Sequence, residues 1–231
     1  MRQAVAIAET KGPCHARDMQ RVHAAVSLGP NCRGKFHLQR VFGAASPNGV
    51  FDWQVTPAAA IHRYLEQDFE GMFERADLLI RSGVVWNGRH QTSHQHEFPR
   101  GLTDDQLDLL YPSARARHDH LCRRTRALLR QRGPLLLVFS RPVATEMIEQ
   151  LTRGVSRYNP RLAFHLLAEP IEGSIGDWTG DTEVWNSMLS RFSIDPVHRL
   201  IANAAAAYRK RLRRRGPAAA GQAPTLSQPL E

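Results

Sequence analysis

The sequence is poor in cysteine and contains no long apolar run. Its three cysteines, Cys14, Cys32 and Cys122, are odd in number and widely spaced, which argues against a disulfide framework and favours a reducing compartment. The apolar stretch at residues 4–8 is too short for a signal peptide. No stretch approaches the roughly 20 apolar residues of a membrane span. We therefore expect a cytoplasmic protein without a membrane span.

Familiar enzyme motifs are missing as well. The chain has no P-loop, no G-x-G-x-x-G fingerprint, no H-E-x-x-H and no G-x-S-x-G. These absences exclude the commonest nucleotide-binding, zinc-protease and serine-hydrolase classes. No cofactor is expected.

Lysine is scarce, so arginine carries nearly all of the positive charge. The formal net charge is +9, and six basic residues lie within residues 209–215. The composition after them is rich in Ala, Pro, Gly and Gln. We expect a loose lead-in at residues 1–20, one α/β domain at residues 21–208 and a basic, disordered tail at residues 209–231.

Strand and helix patterns alternate along the chain. An apolar run at residues 135–139, a helical pattern at residues 145–158 and a second apolar run at residues 162–167 predict a βαβ crossover. Strands are also predicted at residues 24–28, 78–80 and 84–86, with a polar loop at residues 87–101 that would lie at the carboxyl edge of the sheet. Helices are predicted from Thr103 toward Leu110, over residues 118–129 and from Pro196 through Tyr208, with a loop at residues 173–185. This alternation predicts an α/β fold with three layers, in which helices cover both faces of a mostly parallel, Rossmann-like sheet.

The segment Ser27-Leu28-Gly29-Pro30-Asn31-Cys32 is the first candidate site. A strand that ends at Leu28 and a helix that starts near Asn31 would place Cys32 in the first helical turn. A helix N-terminus lowers a thiol pKa and can hold an oxyanion through backbone N–H groups near Gly29 and Asn31. The alternative is a buried cysteine that packs as a small apolar side chain.

A second candidate site is the histidine-rich loop. A cysteine nucleophile needs a base, which His94 or His96 could supply, and an acid to orient it, which Glu97, Asp52 or Asp177 could supply. The loop also contains His90, and incidental solvated histidines or a metal site are the alternatives. The metal interpretation ranks last because no second ligand pair accompanies it, so no metal is expected.

Two further patterns have mainly structural interpretations. Asp52, in Phe51-Asp52-Trp53, could cap a turn while the two aromatic rings anchor the loop. In His118-x-His120-x-Cys122, a helix would place His118 and Cys122 on one face and direct His120 away from them.

Taken together, these motifs resemble a family of uncharacterised bacterial domains labelled papain-like cysteine peptidases. The resemblance covers about residues 26–185 and rests on S-L-G-x-N-C, F-D-W, a His-acid pair before Phe-Pro, and Arg-Arg before an apolar strand. It implies a nucleophile at Cys32, a base at His96 and a cysteine-peptidase mechanism. Val50 and Glu97 depart from the family pattern, where Pro and Asp are expected. The implied papain-like α+β fold has an antiparallel sheet and is the alternative to the parallel sheet.

The sequence therefore predicts a thiol hydrolase or transferase of cysteine-peptidase type that acts on a carbonyl substrate such as a peptide or acyl compound. A binding or assembly domain without catalysis is one alternative. Binding of nucleic acid or an anionic surface through the basic tail is another.

Overall fold

The computed structural model describes Val5–Ala6 and residues 19–215. The strands are β1 (Val5–Ala6), β2 (Gln20–Val22), β3 (Ala24–Ser27), β4 (Leu78–Arg81), β5 (Val84–Asn87), β6 (Thr92–Ser93), β7 (Leu135–Phe139), β8 (Phe164–Ala168) and β9 (Phe192–Ile194). The helices are α1 (Cys32–Phe42), α2 (Ala58–Glu66), α3 (Asp104–Arg130), α4 (Thr145–Tyr158), α5 (Thr182–Leu189) and α6 (Pro196–Arg215). Cys14, the rest of the predicted lead-in and residues 216–231 lie outside the described residues.

The fold is a mixture of α-helices and parallel β-sheets, as predicted. Four parallel strands form the main sheet in the order β1-β8-β7-β3. The predicted crossover is present, because α4 connects β7 to its parallel neighbour β8. β2 and β9 form a separate parallel pair.

Two neighbouring strands of the main sheet, β7 and the edge strand β3, are buried on both faces. Every residue of β3 and β7 is buried, which is typical of parallel strands with cover on each side. Val26 and Leu137 face a core that includes residues of α2, α3 and α4, whereas Ala25 and Leu136 face a core that includes residues of α1 and α5. Burial of each leucine side chain contributes roughly 1.5–3 kcal/mol to folding stability. These strands are therefore a stable support for the turns that follow them.

The two strands predicted before the histidine loop do not join the parallel sheet. β4, β5 and β6 form an antiparallel sheet of their own. Ser82 and Gly83 both have positive φ, at 49° and 73°, which is the backbone of a tight two-residue hairpin. The expectation that this loop follows a parallel strand to the carboxyl edge of the main sheet is therefore wrong.

Helix boundaries differ from the predicted ones in three places. The pattern at residues 103–130 forms one helix, α3, although Pro112 lies inside it, because one buried stripe runs along its length from Leu107 to Leu129. Residues 173–185, predicted as loop, contain a short 3₁₀ turn and the start of α5, which Asp181 caps. α6 continues past its predicted end at Tyr208 to Arg215. None of the described helices is long and apolar enough to cross a membrane.

Candidate active site

The turn that carries Cys32 connects β3 to α1, as the sequence predicted. Asn31 is the N-cap of α1, and its side-chain oxygen accepts a hydrogen bond from the Arg33 N–H at 3.1 Å. Gly29 has a φ of +82°, a conformation that L side chains rarely adopt, which explains glycine at this sharp change of direction. Cys32 is the first residue of α1 and is partly exposed.

Neighbouring elements hold this turn in place. The Ser140 N–H donates to the Gly29 carbonyl at 2.7 Å, and the Ser140 hydroxyl lies 2.8 Å from both that carbonyl and Asn31 Oδ1. On the other side, the Thr56 N–H donates to the Pro30 carbonyl at 2.9 Å. Ser140 follows β7, so the turn is fixed to the carboxyl end of the neighbouring strand. Such rigid support is what a preorganised site needs.

The electrostatics of Cys32 differ from the expected activation. Burial raises the pKa of the Cys32 thiol, and its own backbone N–H and the charge of Arg33 lower that pKa only in part. Within the described part of the chain, no other residue forms a hydrogen bond with Cys32 Sγ. The Gly29 N–H, one of the expected oxyanion donors, already donates to Ser27 Oγ at 3.1 Å. In this structure the group is a thiol at neutral pH, and the Arg33 N–H in the first turn of α1 is likewise taken, by Asn31 Oδ1.

Arg33 follows Cys32 in α1 and was not identified from the sequence as part of the site. Its guanidinium forms a buried bidentate ion pair with Glu169, at 3.0 and 3.1 Å, and also donates to the carbonyls of Asp177 and Trp178 at 2.8 Å. Glu169 follows β8 and accepts a further hydrogen bond from Trp185 Nε1 at 2.9 Å. This network ties the start of α1 to the loop after β8.

Asp52 belongs to a buried ion pair. Its carboxylate lies 3.3 Å from Lys35 Nζ and accepts the Gly49 N–H at 2.8 Å. Burial raises the pKa of Asp52 to about 6, although Lys35 opposes this. Lys35 also donates to the carbonyls of Ser46 and Pro47, at 2.7 and 2.9 Å. Asp52 therefore holds the loop after α1 and does not orient a histidine.

His94 is deeply buried. Its Nε2 lies 3.0 Å from Thr92 Oγ1, and its ring packs edge-on against Phe73 with centroids 4.6 Å apart. Burial, together with the charge of His118, lowers the pKa of His94 to about 3. His94 is therefore neutral but enclosed. His90 is buried as well, with Nε2 3.3 Å from the Gly71 carbonyl.

His96 is the most accessible of the three loop histidines. Its ring meets that of Trp53 edge-on, with centroids 6.1 Å apart, and no described group forms a hydrogen bond with its ring nitrogens. Burial and Arg100 lower its pKa, so it is neutral near pH 7 and can accept a proton. Glu97 pairs with Arg117 at 2.6 Å, and burial raises the pKa of Glu97. The carboxylate is therefore directed to an arginine and not to His96.

A short segment, residues 53–56, connects the two predicted halves of the site. Thr56 bonds to the turn before Cys32, and Trp53 packs on His96. Between them, Val55 forms a bridge with Ser93 through two hydrogen bonds of 3.0 Å. The turn before Cys32 and the His96 ring therefore both contact this segment, and no hydrogen bond joins Cys32 to His96 in this structure.

Among the described residues, the closest cysteine-histidine contact joins Cys122 and His118, the pair that was predicted to share a helix face. Cys122 Sγ lies 3.5 Å from His118 Nδ1, and the Tyr64 hydroxyl lies 2.9 Å from His118 Nε2. Burial raises the pKa of Cys122 to about 12 and lowers that of His118 to about 3. A cavity of about 170 Å³ separates His118 from His96 and is also bordered by Trp53. The described residues contain no group of three or more His, Cys, Asp or Glu placed to bind a metal ion.

A further cavity lies at the carboxyl ends of β7 and β8. It has a volume of about 660 Å³, and its lining includes Val143, Ile148, Leu166, Glu169 and Met188. The N-terminus of α4 borders it, and the N-cap residue there provides no side-chain hydrogen bond. Open α/β sheets bind their ligands at this edge.

Asp177, the third acid considered from the sequence, forms no described hydrogen bond with the histidine loop. Its carboxylate accepts the Thr179 N–H at 2.7 Å. Its carbonyl accepts from Arg33 at 2.8 Å. Asp177 therefore shapes the loop after β8.

Comparisons with known proteins gave no match. No protein-family model matches the chain, and neither the curated proteins nor the solved structures contain a significant match.

Proposed function

We propose that this protein is a thiol hydrolase or transferase in which Cys32 attacks the carbonyl carbon of an acyl or peptide substrate. The observation that carries the proposal is the position of Cys32. It is a partly exposed thiol on the first turn of α1, on a turn fixed to two neighbouring segments at the carboxyl end of a parallel strand. Nucleophiles of open α/β enzymes are held at this edge.

A Rossmann-like arrangement of three layers is part of the proposal. The burial of β3 and β7 on both faces supports it, as do the helices found in both cores. The papain-like alternative is less well supported, because the main sheet is parallel.

In the proposed reaction, His96 accepts the thiol proton as Sγ bonds to the carbonyl carbon. Backbone N–H groups around Asn31 and Cys32, at the start of α1, stabilise the resulting oxyanion. The leaving group departs with the proton from His96, which leaves a thioester on Cys32. Water or an acceptor, deprotonated by His96, then releases the acyl group and restores the thiol.

His96 is preferred to His94 as the base for two reasons. The ring nitrogens of His96 are free within the described chain, whereas His94 is buried and bonded to Thr92. The segment at residues 53–56 also contacts both His96 and the Cys32 turn, so the proposed reaction requires base and thiol to meet beside this segment when substrate binds. Catalytic hydrogen bonds often tighten only when substrate binds.

The test uses p-nitrophenyl acetate, a simple acyl ester. We expect a burst of p-nitrophenolate of about one equivalent per chain, with the acetyl group mapped to Cys32 by mass spectrometry. Cys32→Ser should abolish the burst, and Cys122→Ser should leave it unchanged. A burst that survives Cys32→Ser, or no acylation of Cys32 at all, would refute the proposal.

A second candidate function is the binding of a small amphipathic molecule in the cavity of about 660 Å³. Its mostly apolar lining and its place at the carboxyl edge favour this function. Ser187 borders the cavity and is exposed, so Ser187→Trp should block it. The expected result is loss of fluorescence from bound anilinonaphthalene sulfonate, with no loss for Asn186→Trp on the same helix. Equal binding by both variants would remove this candidate.

A further inference from the structure

A polar cavity of about 340 Å³ lies between the turn after α1, helix α3 and helix α6. Arg124 on α3 and Arg209 on α6 both line it. This cavity is distinct from the Cys32 turn and shares no lining residue with the two cavities described above.

Neither of the two arginines has an anionic partner among the described residues. Within the described chain, neither forms an ion pair or a hydrogen bond, and the charge of Arg209 together with burial lowers the pKa of Arg124. Asp52 is the acid that acts on Arg124, but it is already bonded to Lys35 and to the Gly49 N–H. Two guanidinium groups that repel each other therefore face one cavity.

Neutral hydrogen-bond donors complete the lining. The side-chain amides of Gln39 and Asn48 border the same cavity and are exposed, and neither forms a hydrogen bond within the described residues. Four side chains from three separate segments thus line this cavity with guanidinium and amide groups that have no hydrogen-bond partner within the described residues. Their donors outnumber the acceptors available around them.

We propose that this cavity binds a phosphate group carried by a small molecule or by a lipid headgroup. A phosphate monoester has three free oxygens and a charge of about −1.5 to −2, so it can accept from two guanidinium groups at once. A carboxylate has only two oxygens, which a single arginine can occupy. The volume exceeds that of a phosphate alone, which leaves room for the group to which it is attached.

Titration calorimetry with inorganic phosphate and glycerol 3-phosphate tests the site. Arg124→Gln and Arg209→Gln should each raise the dissociation constant about tenfold or more, since a charge-assisted hydrogen bond contributes about 1.5–3 kcal/mol. The matched controls are Arg123→Gln and Arg211→Gln, which remove the same charge from adjacent exposed positions on α3 and α6. These controls should bind as the wild type does. Arg209 is exposed, so its variant remains informative even if Arg124→Gln lowers stability.

Vesicles of phosphatidylcholine with and without phosphatidic acid separate the two sources of phosphate. Binding of glycerol 3-phosphate that depends on Arg124 and Arg209 identifies a soluble ligand. Binding only to vesicles with phosphatidic acid, with the same dependence, identifies a headgroup. Equal weakening in all four variants would show general charge attraction and overturn the site. Absence of binding in both arms would overturn it too, without bearing on Cys32.

Discussion

Cys32 and Cys122 have opposite surroundings. Cys122 has a histidine 3.5 Å from its sulfur but is buried on α3, and its pKa is raised to about 12. Cys32 has no histidine in contact but is partly exposed at the start of α1. The contact in α3 follows from helix geometry, since residues four apart lie on one face. A cysteine-histidine contact is therefore not sufficient for reactivity when burial disfavours both charged forms.

The largest expected effect concerns the helix that carries Cys32. Lys35→Met leaves Asp52 without its partner in a fully buried position, and we expect a loss of about 3–5 kcal/mol of unfolding free energy. The loss should be smaller at pH 5 than at pH 8, because burial already raises the pKa of Asp52 to about 6 and its protonation removes the unpaired charge. Urea unfolding at both pH values measures this.

The double variant Lys35→Met with Asp52→Leu is the control for that prediction. It should recover much of the lost stability, since no isolated charge remains. A double variant as unstable as Lys35→Met would show that packing and not charge supports α1.

A smaller effect is expected at the Cys122 cluster. Tyr64→Phe removes the hydroxyl that bonds to His118 Nε2 at 2.9 Å and leaves that buried nitrogen with only the Cys122 sulfur at 3.8 Å. We expect a loss of about 1–3 kcal/mol in urea unfolding. Tyr111→Phe removes part-buried hydrogen bonds to the Phe73 carbonyl and from Arg115, which solvent can partly replace, and should cost less. Equal losses would contradict the polar cluster around His118.

The buried histidines should also affect stability in acid. His94 and His118 have folded-state pKa values lowered to about 3, below the ordinary value of 6.5. The unfolded chain therefore binds protons first, so stability is fully present above pH 6.5 and falls as the pH drops toward 3. His94→Gln should flatten this decline, and the exposed control His120→Gln should not. If stability falls with pH in the same way for wild type and His94→Gln, the lowered pKa of His94 is disproved.

Labelling of the two thiols compares them without changing the fold. We expect iodoacetamide at pH 8.5 to modify Cys32 at least roughly tenfold faster than Cys122 in the native protein. The rate at Cys32 should rise through a midpoint above the ordinary value of about 8.5, because burial raises its pKa. In urea the two rates should converge. Faster native labelling of Cys122 would reverse the comparison.

Much of the local structure around Cys32 could be predicted from the sequence. The apolar run, the Gly29-Pro30 turn and the Asn31 cap are neighbouring signals, and they predicted the strand, the turn and the helix start that are observed. The crossover at β7 and β8 was predicted for the same reason, since its apolar runs and its helical period are local.

The contacts that decide the electrostatics of the site could not be predicted in this way. Arg33 and Glu169 are 136 residues apart, and no local pattern indicates which acid meets which arginine. The pairing of Lys35 with Asp52 had a weak signal, because Lys35 lies on the same helical face as Leu38 and Phe42, where an apolar side chain is expected. The Ser82-Gly83 hairpin was a turn signal that the sequence contained, and it explains why the histidine loop lies on a separate sheet.

The most direct test of the account is the acylation rate of Cys32 in histidine variants. At pH 7, with p-nitrophenyl acetate under single-turnover conditions, His96→Ala should slow acylation roughly 100-fold, the effect of losing a general base. His94→Ala and the exposed control His120→Ala should acylate Cys32 at nearly the wild-type rate, provided that circular dichroism shows an unchanged fold. An unchanged rate in His96→Ala would contradict the proposed Cys32-His96 pair.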